Sequence, residues 1–119
     1  MEIKRTNTIL YCEAWAATVA FYRDQLGLPI THANTWFVEF HLGAQGFLSV
    51  ADQARATIAS SQGAGITLSW QVDDLGAEQQ RLAAAGIPTS PIKRRWGAQV
   101  LYLHDPEGNR IELWAPENQ

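Results

Sequence analysis

Apolar and polar positions along this chain follow one pattern, and the pattern runs twice. Residues 6–12 alternate and carry Ile9, Leu10 and Tyr11, which suits a strand with one face on a core. Trp15, Val19, Tyr22 and Leu26 then recur at helical spacing, and Gly27 with Pro29 supplies a left-handed cap and a stop. Three short apolar runs follow, 30–33, 36–42 and 47–50, separated by Asn34-Thr35 and by Gly43-Ala44-Gln45-Gly46, and they predict short antiparallel strands.

About sixty residues after the first helix stop, Gly86-Ile87-Pro88 ends a second helix predicted over 75–85, with Asp73 or Asp74 as its N-cap. A strand over 66–72 precedes it, and strands over 92–95, 99–103 and 110–114 follow. The last two are joined by the turn sequence Asp105-Pro106-Glu107-Gly108-Asn109. Between Asp52 and Gly65 the chain turns to Ala, Ser, Gln and Gly and reads as a connector. The expected organisation is α+β: a β-α-β-β-β module at 1–51, a linker at 52–64 and a like module at 65–119, in one domain of 119 residues. A half of this size is too small to bury a good core alone, so the two are expected to share a sheet system around a concave space.

Composition narrows the function classes. The chain is 46% hydrophobic and 18% charged, enough for a core and too little charge for disorder. A net charge of −3 and a pI near 5.5 argue against a nucleic-acid partner, and no apolar run approaches the length of a membrane span. A cytoplasmic protein is expected. Cys12 cannot form an internal disulfide and reads as a small core residue. Lys93-Arg94-Arg95 is the basic cluster, either a solvated strand end or a rim guide for an anionic ligand group.

Three segments together resemble the vicinal oxygen chelate superfamily of glyoxalases, extradiol dioxygenases and bleomycin-resistance proteins. They are Val19-Ala20-Phe21-Tyr22-Arg23-Asp24-Gln25-Leu26-Gly27-Leu28, Val72-Asp73-Asp74-Leu75 and His104-Asp105-Pro106-Glu107-Gly108-Asn109-Arg110-Ile111-Glu112-Leu113. The resemblance implies a curled mixed sheet with a cleft on its concave side and helices on its convex side. It implies that metal ligands, where a member has them, come from the first and last strands of each module. The matching positions here are Asn7, Ser49, Thr67 and Glu112. One carboxylate beside an amide and two hydroxyls is a poor donor set for a divalent transition metal, so no metal and no other cofactor is expected.

With Glu112 facing the cleft, strand parity gives Arg110 and Trp114 the same face, and assigns Asn7, Ile9, Tyr11, Phe47, Ser49, Thr67, Ser69 and Gln71 to it as well. Gln99, Leu101 and Leu103 are assigned there too. Five tryptophans are many for this length, and Trp36, Trp96 and Trp114 are the candidates to line a pocket, with Trp15 and Trp70 in the core. His41 and Glu39 alternate on one strand and read as a polar face; His32 and His104 lie at strand ends.

The expected function is metal-independent binding of a small aromatic molecule by a homodimer, as the resemblance to bleomycin-resistance proteins implies. The expected ligand-binding residues are Asn7, Tyr11, Trp36, Phe47, Ser49, Thr67, Trp96, Gln99, Leu101, Glu112 and Trp114. The alternative is an enzyme of the glyoxalase or dioxygenase type, with an atypical metal set or with Glu112 as a general base in apolar surroundings.

Overall fold

The structure, a computed structural model, describes residues 1–117. Residues 118 and 119, the end of the expected second module, lie outside the described residues. The chain divides into two compact units, Met1–Gln62 and Gly63–Gln119. Each is a β-α-β-β-β module with its own four-stranded mixed sheet.

In the first unit the strands are β1 (Thr6–Cys12), β2 (Ile30–Ala33), β3 (Phe37–Leu42) and β4 (Gly46–Asp52), in the order β1-β4-β3-β2. β1 runs parallel to β4, and the other pairs are antiparallel. Alternation decides the faces. Leu10, Cys12, Val38, Phe40, Leu48 and Val50 are buried, while Asn7, Ile9, Tyr11, Phe37, Glu39, His41 and Phe47 share the opposite face.

The first helix differs from its expected form. α1 (Trp15–Ala20) passes into a π-helical turn, Phe21–Gln25, with Leu26 N–H bonded to Phe21 O at 2.9 Å. The wider turn turns two consecutive rings inward, and Phe21 and Tyr22 are both buried in edge-to-face contact at 5.2 Å. A strict 3.6-residue period carries only one of them to the core. Trp15 is half-buried and donates from Nε1 to Val50 O at 2.9 Å.

The second unit repeats the order with β5 (Thr67–Gln71), α2 (Leu75–Ala84), β6 (Lys93–Arg95), β7 (Ala98–His104) and β8 (Arg110–Pro116). Its strand order is β5-β8-β7-β6, with β5 parallel to β8. Asp74 caps α2 by accepting from Ala77 N–H at 3.0 Å. Leu75, Leu82 and Ile87 are buried, as are Leu68, Leu101, Leu103, Ile111 and Leu113 of the sheet, on which α2 packs through β7 and β8. The Asp105–Asn109 turn is tied by the buried Asp105 carboxylate, which accepts from the backbone N–H of Glu107 and Asn109, each at 2.9 Å.

Candidate functional site

Each sheet turns one face to its helix, and the candidate residues lie mostly on the other. In the first unit the open face carries Asn7, Tyr11, Phe47 and Ser49. Ser49 is fully buried and donates from Oγ to Asn7 Oδ1 at 2.9 Å, so these two side chains satisfy each other. The Arg5 guanidinium stacks 3.8 Å above the Phe47 ring and pairs with Glu39 at 3.1 Å. The Thr31 hydroxyl, which donates to Glu39 at 2.8 Å, and then Arg5 and His32 hold the Glu39 carboxyl below the usual carboxylate range against the opposing effect of burial. Trp36 stands just before β3, edge-on to Phe37 at 5.5 Å.

The second unit gathers the remaining candidates around Glu112. Ser69 Oγ donates to one carboxylate oxygen at 2.6 Å, and the Tyr102 hydroxyl donates to the other at 3.1 Å. Glu112 is therefore clamped by two hydroxyls, which replaces the expected apolar setting. Beside it lies an open concavity of about 630 Å³ whose lining includes Ser69, Arg95, Trp96, Tyr102, Glu112 and Trp114.

Trp96 is the unusual member of this lining. It and Gly97 form the two-residue turn between β6 and β7, with φ of 47° and 76°, the doubly positive signature of a type I′ hairpin. Such a turn favours Asn-Gly. A tryptophan there accepts left-handed strain and stands 99% exposed at the mouth of the hollow.

Three expected cleft residues, Gln99, Leu101 and Leu103, are corrected. β7 pairs with β8 so that Val100 faces Trp114, Tyr102 faces Glu112, Leu101 faces Leu113 and Leu103 faces Ile111. Leu101 and Leu103 therefore lie in the helix-side core, and Gln99 lies with them beside the start of α2. A one-residue slip in parity moves every side chain to the other face. Counting outward from the Asp105–Asn109 turn, with His104 opposite Arg110, gives the correct face, and that count would have found Tyr102 and Val100 from sequence.

The four positions that the resemblance assigned to metal ligands do not fit one. Asn7 and Ser49 bond each other, Thr67 Oγ1 accepts from the Arg110 guanidinium at 2.9 Å, and Glu112 receives two hydroxyl donors. A fixed positive charge beside Thr67 opposes a cation there. Among the described residues no group of three or more His, Cys, Asp or Glu side chains is arranged to hold a metal ion.

The family model described as "Glyoxalase/Bleomycin resistance protein/Dioxygenase superfamily" matches residues 4–113. The chain belongs to this superfamily. A relative within reach is the uncharacterized protein YraH of Bacillus subtilis (strain 168), 28% identical, with 82% of this chain and 86% of that protein covered. Among solved structures the chain is similar to a lactoylglutathione lyase from Agrobacterium tumefaciens, at 25% identity and a TM-score of 0.75, covering 92% of this chain and 91% of that one. It is also similar to TnmS3, an antibiotic binding protein from Streptomyces sp. CB03234, at 21% identity and a TM-score of 0.80, covering 98% and 99%. The superfamily fold thus spans both modules. No helix among the described residues is long and apolar enough to cross a membrane.

Proposed function

We propose that this superfamily member binds a small planar aromatic molecule in the hollow of its second module, without a metal and without breaking a bond. The observation that carries the reading is Trp96, held in a strained turn and fully exposed at the mouth of a hollow that also contains Trp114 and Tyr102. A large ring left in water is costly, and a strained one more so, unless a guest covers it. Flat rings with a few polar groups suit stacking with hydrogen bonds at one edge. The likeness in fold to an antibiotic binding protein supports sequestration of an antibiotic or metabolite as the task. A homodimer acting in the cytoplasm is part of this reading.

The second reading, a glyoxalase-type lyase, draws on the likeness to a lactoylglutathione lyase and would rest on Glu112. One experiment addresses the first reading. A panel of planar aromatic antibiotics is titrated into the protein while tryptophan fluorescence is followed, with Trp96→Ala and Trp114→Ala in parallel. Saturable quenching that weakens in both variants supports the pocket; flat traces across the panel overturn it. Turnover of lactoylglutathione by protein supplied with divalent metals would favour the lyase instead.

A further inference from the structure

Both units place an arginine over an aromatic ring on the open face of the sheet, and the two arginines differ in one respect. Arg5 stacks on Phe47 and is neutralised by Glu39 at 3.1 Å. Arg110 stacks on Tyr102, 4.6 Å from the ring centroid, and its Nε donates to Thr67 Oγ1 at 2.9 Å. No carboxylate among the described residues pairs with it. The nearest acid along β8, Glu112, is turned to Ser69 and Tyr102. Arg110 is thus oriented at one nitrogen and one face, while its two terminal nitrogens carry no partner among the described residues.

Arg110 borders a second hollow of about 440 Å³, lined also by Thr67, His104 and the glycine-rich loops at Gly63, Gly65 and Gly108. His104 lies directly opposite Arg110 in the β7–β8 register and brings a further ring nitrogen to the same face. Tyr102 joins the two hollows: its ring carries Arg110, and its hydroxyl reaches Glu112 in the aromatic one.

We propose that Arg110 is an oxyanion-binding subsite, so that the ligand of this module is a planar aromatic carrying a carboxylate or phosphate. The proposal rests on the aromatic-binding reading above and adds the chemical class of the guest. A planar guanidinium with two free nitrogens matches a two-oxygen anion, and prior seating on Thr67 and Tyr102 lowers the cost of ordering it. Along β8, Arg110 and Glu112 stand roughly 6.6 Å apart at strand rise. A ring against Trp114 therefore carries its anion at one end, directed along the strand toward Arg110.

The probes are 2-naphthoate, its neutral isostere 2-naphthamide and 2-naphthyl phosphate, with affinities measured by calorimetry at low and moderate salt. The expected result is at least tenfold tighter binding of one or both anions than of the amide, a preference that shrinks with salt. Arg110→Gln removes the preference, Arg110→Lys keeps part of it, and Trp114→Ala weakens all three probes. Equal binding of anions and amide, or a preference that survives Arg110→Gln in folded protein, overturns the oxyanion subsite and leaves the aromatic pocket standing. Failure of all three probes to bind overturns both. The ratio of naphthoate to naphthyl phosphate affinity assigns the anion.

Discussion

Ser69 and Glu112 lie directly opposite each other on the parallel strands β5 and β8, and the serine hydroxyl donates to the carboxylate at 2.6 Å. With Tyr102 on the other oxygen, the acid is held in place on the sheet. Glu112→Ala leaves both hydroxyls without their acceptor, but they border an open hollow that water can enter. The expected loss is about 1 kcal/mol in urea unfolding. Tyr102→Phe keeps the ring and is expected to retain aromatic-ligand quenching, whereas Tyr102→Ala loses it.

Trp96 sets stability against binding. Trp96→Asn places the favoured Asn-Gly pair in the type I′ turn and is expected to stabilise the module by about 0.5–1 kcal/mol. The same variant is expected to weaken ligand quenching severalfold. Thermal unfolding and fluorescence titration of one preparation check both signs together.

Leu101 tests the register. It is fully buried beneath α2, so Leu101→Ala is expected to cost about 2–5 kcal/mol, while Gln99→Ala stays within about 0.5 kcal/mol. Comparable small effects at both positions would contradict a core role for Leu101.

Gly63 has φ of +83°, and a Cβ there would run into the carbonyl of Gly108. Gly63→Ala is expected to destabilise by more than about 2 kcal/mol, since neither backbone segment can yield cheaply. Gly43 also has positive φ but faces open space, so Gly43→Ala is expected to cost only about 1 kcal/mol. Parallel urea titrations give the comparison.

Glu39 supplies a pH dependence. Its folded carboxyl titrates below the unfolded one, so its stabilising effect is present above the unfolded range and is lost as pH falls through the lowered folded value. Arg5 is half exposed, so the pair is worth only about 0.5 kcal/mol at neutral pH. The stability gap between the native protein and Glu39→Gln is expected to close on acidification and to be full at pH 7, as followed by unfolding at several pH values.

Much of the architecture was legible because its signals are local. The stripe from Trp15 to Leu26, the Gly-x-Pro stops and a cap at Asp73 or Asp74 each act within a few residues, and both helices and the repeated strand order followed from them. The π-helical turn escaped because burying Phe21 and Tyr22 together is decided by the sheet beneath them. On β5 and β8, parity placed Ser69, Glu112 and Trp114 on one face, as the register has them. On β7 it put Gln99, Leu101 and Leu103 on the wrong face and missed Tyr102, because which face a strand's alternation points to is fixed by its pairing with β8.

The order of elements and the doubling were properties of the sequence, since they depend on residue type and short-range spacing, and the poor set of metal donors at Asn7, Ser49, Thr67 and Glu112 followed from the family resemblance. Which of two like arginines keeps its charge unpaired was decided only in the folded chain. Arg5 meets Glu39 from 34 residues away and Arg110 meets Thr67 from 43, and no short-range rule chooses partners across such distances. Sheet pairing brings those side chains together, and with them comes the chemistry of the hollow.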